Sequence, residues 1–258
     1  MSVNSYLSNL GSSLVLSEQE NSKIRTSLIS LESRAEGYFS SFSRCIRFGS
    51  YTRGTILPRR VDPESDIDLM LLFDGSDSCQ PQAYLNRIRG FVDKYYPYSE
   101  ERQSQPSIVL DLQHIRFELT PAQPTWVEGQ YEIPFDRSTW QHTTPKSFDE
   151  ELVACNADNG YRIKPLIRLL KLWNIKKNNR GFASYQLERD VMRALRYAYL
   201  SCKTYPEYLL KAFDALYSPT YSSRVASAKE GIRKALEYES QGMPASALIE
   251  IKKVFPED

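Results

Sequence analysis

The chain has 258 residues and a formal net charge of +1, so it has no overall basic field for nucleic acid. Hydrophobic residues make up 41% and charged residues 25%, which excludes a disordered, collagen-like or coiled-coil chain. Two histidines and four separated cysteines argue against a Ser-His-Asp hydrolase or a zinc centre, so a catalytic metal is expected to be Mg²⁺ or Mn²⁺ on oxygen ligands. We find no signal-peptide pattern and no apolar run of membrane-span length, and therefore expect a cytoplasmic protein with reduced thiols.

The first predicted element is a helix. Ser17 and Glu20 have the spacing of a capping box. Apolar residues then recur on one helical face, at Ile24, Leu28, Leu31, Ala35 and Tyr38. We expect this helix to act as a packing strut.

The rest of the chain divides into a strand-rich part and a helical part. The pattern predicts strands at 45–48, 66–73, 107–112 and 115–120, and a helix at 80–96. The proline-bearing stretch 121–147 is expected to be a connector, and the sequence is mostly helical from about residue 148. We therefore predict an α+β protein with an N-terminal strut (1–40), a sheet domain (41–145) and a helical domain (146–258).

Two aspartates begin the strand at 66–73. Strand alternation places Asp66 and Asp68 on one face, with their Cα atoms about 6.5–7 Å apart, while Ile67 and Leu69 point into a core. Both carboxylates can reach one metal ion, and a divalent cation would offset their mutual repulsion. The alternative is an ordinary strand end with solvated acids.

A predicted hairpin supplies a third carboxylate. With Gln113-His114 as the turn, Asp111 pairs with Arg116, and Glu118 lies on the polar face of the sheet. The pair Asp111–Arg116 is most simply a cross-strand ion pair, but the pattern leaves open whether Asp111 or Glu118 joins the metal site. Two metals held by three carboxylates can activate an attacking oxygen and steady a leaving pyrophosphate.

Two further groups of residues suit phosphate binding. Gly49 and Ser50 precede the strand with the aspartates, and a glycine lets the backbone approach a phosphate. Lys164, Arg168 and Lys171 have helical spacing and form one basic stripe. This stripe is interpreted as a clamp on a triphosphate, with an exposed side chain at Lys171; the alternative is a solvated helix face.

A second helix start lies downstream of the basic stripe. Ser184 offers a hydroxyl for phosphate and Tyr185 a ring for base stacking, although a buried tyrosine is the simpler alternative. The run from Lys176 to Arg180 is interpreted as an exposed loop, with an RNA contact as the alternative.

Several of these segments resemble a known superfamily. The DNA polymerase β-type nucleotidyltransferases are similar in three blocks, Gly49–Thr55, Ser65–Met70 and Phe117–Ala122. The bacterial cGAS/DncV-like branch (SMODS domain, oligoadenylate synthase-like) is similar at Lys164–Asn174 and Ser184–Glu188. The resemblance covers about residues 40–190. It implies a mixed β-sheet nucleotidyltransferase palm between an N-terminal helix and a C-terminal helical domain, with the active site in the cleft between them.

The resemblance also implies residue roles. Asp66, Asp68 and Glu118 would be the catalytic carboxylates and would hold two Mg²⁺ (or Mn²⁺) ions. The implied nucleotide-binding residues are Gly49, Ser50, Arg53, Lys164, Arg168, Lys171, Ser184 and Tyr185. Within this set, Lys171 and Ser184 would bind the triphosphate and Tyr185 would stack on a base. The chain departs from the family in having Glu at the third position, where Asp is more usual, and in being shorter than many of these synthases.

The implied activity is template-independent transfer of a nucleotide from an NTP or dNTP to a hydroxyl. The product would be a cyclic or linear oligonucleotide signal in antiphage defence, read by an effector protein, and no membrane is involved. One alternative is modification of a macromolecule, such as a tRNA 3′ end or a protein hydroxyl in a toxin–antitoxin pair. Another is a catalytically silent nucleotide-binding module. Nucleic acid is thus a possible product or acceptor, and base, sugar, linkage, activator and oligomeric state are left open.

Overall fold

A computed structural model of the chain describes residues 1–75, 79–104, 106–216, 220 and 222–257. The chain divides into two compact units. The palm unit comprises 16–59 and 64–150, and the helical unit comprises 1–15, 60–63 and 151–258. The predicted domain boundaries after residues 40 and 145 stay predictions. The predicted strut (1–40) is divided between the units, with residues 1–15 in the helical unit and 16–40 in the palm unit.

The palm unit is built on a mixed sheet. Its strands are β1 (Phe42–Phe48), β2 (Asp66–Phe73), β3 (Glu100–Ser104), β4 (Ser107–Leu112), β5 (Ile115–Pro124), β6 (Tyr131–Pro134) and β7 (Trp140–Thr143). The main order is β1-β2-β5-β4-β3, and β6 and β7 extend the sheet from the end of β5. The β2–β5 pair is parallel and the other pairs are antiparallel. The predicted α+β class with a mixed sheet is therefore confirmed.

Helices α2 (Glu18–Tyr38) and α4 (Pro81–Tyr95) contribute to the palm core together with one face of the sheet. The Ser17–Glu20 capping box is formed, as predicted. The buried apolar residues of α2 and the odd-numbered residues of β2, from Ile67 to Phe73, belong to one cluster. Burial of each such side chain stabilises the fold by about 1.5–3 kcal/mol relative to exposure. A short helix, α3 (Gly49–Arg53), connects β1 to the loop before β2.

The register of the β4–β5 hairpin was predicted correctly. Asp111 pairs with Arg116, and Val109 pairs with Glu118. The connector prediction for 121–147 is wrong, because β5 continues to Pro124 and two more strands follow. The register of β5 with β4 ends at Leu119. Beyond Leu119, β5 does not need N–H groups for hydrogen bonds to β4, so prolines are tolerated there.

In its described residues, the helical unit is built from helices of 11 to 19 residues. They are α1 (Val3–Ser13), α5 (Pro145–Asp158), which begins in the palm unit, α6 (Ile163–Lys176), α7 (Ser184–Leu195), α8 (Tyr205–Ala215), α9 (Ser222–Ser240) and α10 (Pro244–Val254), with a 3₁₀ turn at Ala198–Leu200. Trp173 is buried, with its ring centre 4.8 Å from that of Phe213 in an edge-to-face contact. None of the helices in the described ranges has the length and apolar character to cross a membrane.

Candidate active site

The parallel pairing of β2 with β5 brings the predicted catalytic carboxylates onto adjacent strands. Asp68 is the register partner of Glu118, and Asp66 is the register partner of Arg116. Neighbouring strands lie about 4.8 Å apart, which is close enough for carboxylates on the two strands to interact. The sheet therefore places Asp66, Asp68 and Glu118 on one local stretch of the palm.

Asp66 and Glu118 are in direct contact. The pKa of Glu118 is raised to about 7, first by burial and then by the charge of the Asp66 carboxylate and a hydrogen bond between the two side chains. Arg116 and Arg102 act in the opposite direction. A pair of carboxyl groups that shares a hydrogen bond and disfavours a second negative charge is a natural binding site for a cation.

Asp111 was the alternative third carboxylate, and it has other partners. Its carboxylate accepts hydrogen bonds from Arg116 at 2.9 and 3.1 Å and pairs with Arg59 at 3.5 Å. The predicted cross-strand ion pair is therefore present, and Glu118 is the carboxyl group that contacts Asp66.

Asp68 lies against the backbone of Gly49. A Cβ atom placed on Gly49 would be 1.7 Å from Asp68 Oδ2, and the backbone of Gly49 has φ +77°. Both the close approach and the positive φ require glycine at this position. The Gly-Ser signal in the sequence thus corresponds to a specific contact with one of the predicted catalytic residues.

Helix α3 is stabilised at its end by charged and hydrogen-bonding groups of the palm. The Ser50 carbonyl accepts the N–H of Thr55 at 2.9 Å, after a left-handed turn at Gly54. Arg53, predicted to bind nucleotide, is buried; its guanidinium pairs with Asp149 at 3.0 Å and lies over the Phe148 ring, 5.0 Å from its centre. These contacts give Arg53 a structural role, and its contact with nucleotide stays a prediction.

The donor set of the three carboxylates fits Mg²⁺ or Mn²⁺, which prefer oxygen ligands. The hydrogen-bonded Asp66–Glu118 pair beside Asp68 supports this fit. Among the described residues, however, no group of three or more His, Cys, Asp or Glu side chains is already arranged as a metal site. The assignment of all three carboxylates as metal ligands stays a prediction.

The basic stripe on α6 differs from the expectation. Arg168 is buried, and its Nε and Nη2 donate to the Gly11 carbonyl at 3.0 and 2.9 Å; burial lowers its pKa to about 10. Lys171 is also buried and forms an ion pair with Glu188, which is fully buried. The expectation of an exposed Lys171 is wrong, because α1 and α7 pack on this part of the helical unit.

The other predicted residues of the helical unit are more accessible. Lys164 is half-buried in the first turn of α6, and its backbone N–H donates to Asn156 Oδ1 at 3.0 Å. Ser184 is the first residue of α7 and is exposed, and Tyr185 is 53% exposed, so the alternative of a buried tyrosine is wrong. Their contacts with nucleotide stay predictions.

The Lys176–Arg180 segment is less open than the sequence indicated. Asn178 is fully buried and donates to Asn174 Oδ1 at 2.9 Å, while Arg180 pairs with Asp62 at 2.6 Å. Lys176 remains exposed. The interpretation of the whole run as an exposed loop is therefore only partly correct.

Two residues of interest were not identified from the sequence. Asp149 does not belong to any of the sequence motifs described above, and it meets Arg53 only in the folded chain. Glu188 lies one helical turn after Ser184 in a segment singled out for its resemblance, but its pairing with Lys171 depends on how α6 and α7 pack. For Glu188, the available signal was an acidic residue on the apolar face of α7 beside Leu187 and Val191.

The chain is similar to known proteins both in sequence and in fold. The mixed sheet is that of the nucleotidyltransferase fold. Residues 1–156 match the family described as Second Messenger Oligonucleotide or Dinucleotide Synthetase domain (SMODS). The match spans more than half of the chain, so the protein belongs to this family. A search of curated proteins finds no match.

Solved structures of the same fold match more than nine-tenths of the chain. E. coli MS115-1 CdnC with ATP has a TM-score of 0.74 at 16% identity, covering 98% of each chain. Bradyrhizobium diazoefficiens CdnG with GTP has a TM-score of 0.68 at 14% identity, covering 96% of this chain and 97% of that one. Vibrio cholerae DncV cyclic AMP-GMP synthase has a TM-score of 0.65 at 12% identity, covering 93% and 76%.

Proposed function

We propose that this protein is a Mg²⁺- or Mn²⁺-dependent, template-independent nucleotidyltransferase. It joins nucleotides from NTPs or dNTPs into a small cyclic or linear oligonucleotide signal and releases pyrophosphate. The observation that carries the proposal is the contact of Asp66 with Glu118 on adjacent parallel strands, with Asp68 beside Gly49. The SMODS match and the CdnC–ATP and CdnG–GTP structures support nucleoside triphosphates as substrates.

The residues of the palm have distinct parts in this reaction. Asp66, Asp68 and Glu118 would hold two divalent cations, which supply charge stabilisation for the attacking oxygen and the leaving pyrophosphate. The Asp66–Glu118 pair would give up its shared proton when a cation binds, because a nearby positive charge favours the ionised form of a carboxyl group. Gly49 lies against Asp68, and Gly49 and Ser50 would contact the phosphates there through backbone N–H groups and the serine hydroxyl.

The biochemical test is incubation of the purified protein with α-labelled NTPs and dNTPs, singly and mixed, with Mg²⁺ or Mn²⁺. We expect pyrophosphate release and a phosphatase-resistant small product, identified by mass spectrometry. The Asp68→Asn variant should lose turnover but still bind NTP. No product from any mixture, also with phage-derived activators present, overturns the proposal. Label entering total RNA or lysate protein supports macromolecule modification.

The biological part of the proposal is signalling in antiphage defence. The relative CdnC has a solved complex with HORMA-deltaN, which is consistent with members of the fold working with protein partners. We expect cells carrying the gene and its neighbours to lose phage protection when Asp66 and Asp68 are both changed to Ala. Full protection by this double variant supports a silent binding module and contradicts the proposal.

A further inference from the structure

Asp149, in the first turn and a half of α5, holds the last two residues of α3. Its Oδ1 accepts a hydrogen bond from Arg53 Nη1 at 3.0 Å, and its Oδ2 lies 3.2 Å from the hydroxyl oxygen of Thr52. Arg53 is 6% exposed, so this ion pair is formed by a charge that is largely removed from water. An ion pair with one buried partner is more strongly fixed than a pair of surface side chains.

The same threonine connects Asp149 to the candidate catalytic carboxylate. The Thr52 hydroxyl also lies 2.9 Å from the Gly49 carbonyl oxygen, so it can donate its hydrogen bond to Gly49 or to Asp149. Gly49 in turn abuts Asp68, with no room for even one extra carbon atom between its backbone and Oδ2. A displacement of α3 would therefore change the space available to the Asp68 carboxylate.

We propose that Asp149 is a positioning residue that acts through Thr52, Arg53 and Gly49 to fix the carboxylate of Asp68 for cation binding. This inference rests on the proposed function, because it treats Asp68 as a metal ligand. Asp149 contacts neither the substrate nor the cation in this scheme. Its effect is indirect, in the way that outer-shell partners orient the ligands of a metal.

The test compares Asp149→Asn with Glu150→Gln, the neighbouring exposed acid on the same helix. Mn²⁺ affinity of the full-length protein is measured by EPR titration, and thermal unfolding is followed in parallel with EDTA. Asn keeps the shape of the side chain but removes the charge that pairs with Arg53. We expect Mn²⁺ binding to weaken about 10-fold in Asp149→Asn and to stay at the wild-type value in Glu150→Gln.

A second variant keeps the test decisive if Asp149→Asn unfolds. Thr52→Val removes the hydroxyl that joins Gly49 to Asp149 but leaves the Arg53–Asp149 pair in place. We expect weaker Mn²⁺ binding and faster amide exchange within Gly49–Arg53, and non-additive effects when both variants are combined. Wild-type Mn²⁺ affinity in a folded Thr52→Val protein overturns the inference.

The possible failures can be told apart. If the wild type binds Mn²⁺ but releases no pyrophosphate from any nucleotide, the proposed reaction fails, and the Mn²⁺ comparison still decides the role of Asp149. If the wild type binds no Mn²⁺, the assignment of Asp68 as a ligand fails, and the inference fails with it. If Asp149→Asn lowers only the unfolding temperature, Asp149 is a structural residue and the inference is wrong.

Discussion

Lys171 forms a buried ion pair with Glu188, which lies one turn after Ser184 on α7. The pair joins the predicted triphosphate-binding lysine to the helix that carries the predicted phosphate-binding serine and base-stacking tyrosine. Removing one partner of a buried pair leaves an uncompensated charge, whereas replacing both partners by apolar residues is often neutral. The stabilities of the single and double variants therefore test a structural role of Lys171, and ATP binding to the double variant tests a nucleotide-binding role.

We predict that Lys171→Met and Glu188→Leu each lower the free energy of unfolding by about 3–5 kcal/mol, while the double variant is close to wild type. Urea unfolding measures all three. Lys253→Met is the control, because the Lys253 side chain is 63% exposed and its pair with Glu250 should contribute at most about 1 kcal/mol.

The folded double variant then tests nucleotide binding. If Lys171 contacts the triphosphate, the double variant loses ATP affinity despite its stability. Unchanged ATP affinity restricts Lys171 to a structural role. Single variants as stable as Lys253→Met contradict the importance of the pair for folding.

Arg168 is predicted to stabilise the helical unit without binding nucleotide. Its guanidinium donates two hydrogen bonds to the Gly11 carbonyl of α1, in a buried position. Arg168→Met is expected to lower the free energy of unfolding by about 1.5–3 kcal/mol, the usual range for hydrogen bonds to charged groups. Its ATP affinity, measured by calorimetry, should stay at the wild-type value. Lys164→Met, at a more accessible position, is the comparison, and a selective loss of ATP binding in Arg168→Met would restore the triphosphate-clamp interpretation.

Glycine substitutions test the contact between α3 and Asp68. Gly49 and Gly54 both have positive φ, but a Cβ atom on Gly54 would meet nothing within 4 Å. Gly54→Ala is therefore expected to lower the free energy of unfolding by about 1–2 kcal/mol and to keep most of the activity. Gly49→Ala adds a clash with the Asp68 carboxylate, so we expect about a 100-fold loss of pyrophosphate release.

Circular dichroism and urea unfolding establish whether Gly49→Ala still folds. In a folded protein, Mn²⁺ binding should be weakened together with the rate. Equal rates for the two variants at equal stability would show that the position of Asp68 does not depend on Gly49.

Patterns among residues close in sequence correctly predicted those parts of the palm that are determined by such residues. The alternation in β4 and β5 and the Gln113-His114 turn determine the hairpin register, because a shift by one residue would move every apolar side chain to the polar face. The capping box at Ser17 acts in the same local way. The aspartate spacing in β2 identified one strand of the candidate site.

The basic stripe shows where local pattern was insufficient. Helical spacing correctly placed Arg168 and Lys171 on α6, but whether this face meets water depends on elements distant in sequence. The predicted elements did not include α1, whose Gly11 carbonyl accepts the Arg168 hydrogen bonds. The roles of Glu188 and Asp149 could not be predicted for the same reason. Only tertiary packing brings Glu188 to Lys171 and Asp149 to Arg53.

The Asp66–Glu118 pair is expected to bind the cation through both of its carboxyl groups. Glu118→Gln can still donate a hydrogen bond to Asp66 but removes one negative charge from a partly buried site. In EDTA, the variant should be at least as stable as wild type, because the repulsion between the carboxyl groups is gone. Mg²⁺ should raise the unfolding temperature of the wild type, by preferential binding to the folded state, and that of the variant much less. Pyrophosphate release should fall by at least about 100-fold, as expected when charge stabilisation of the transition state is lost.

Glu100→Gln, a change at an exposed acid on β3, should leave both the Mg²⁺ effect and the rate unchanged. A Glu118→Gln protein that keeps the full Mg²⁺ stabilisation would exclude Glu118 as a ligand, and the cation would then have to bind through Asp66 and Asp68 alone or at another site.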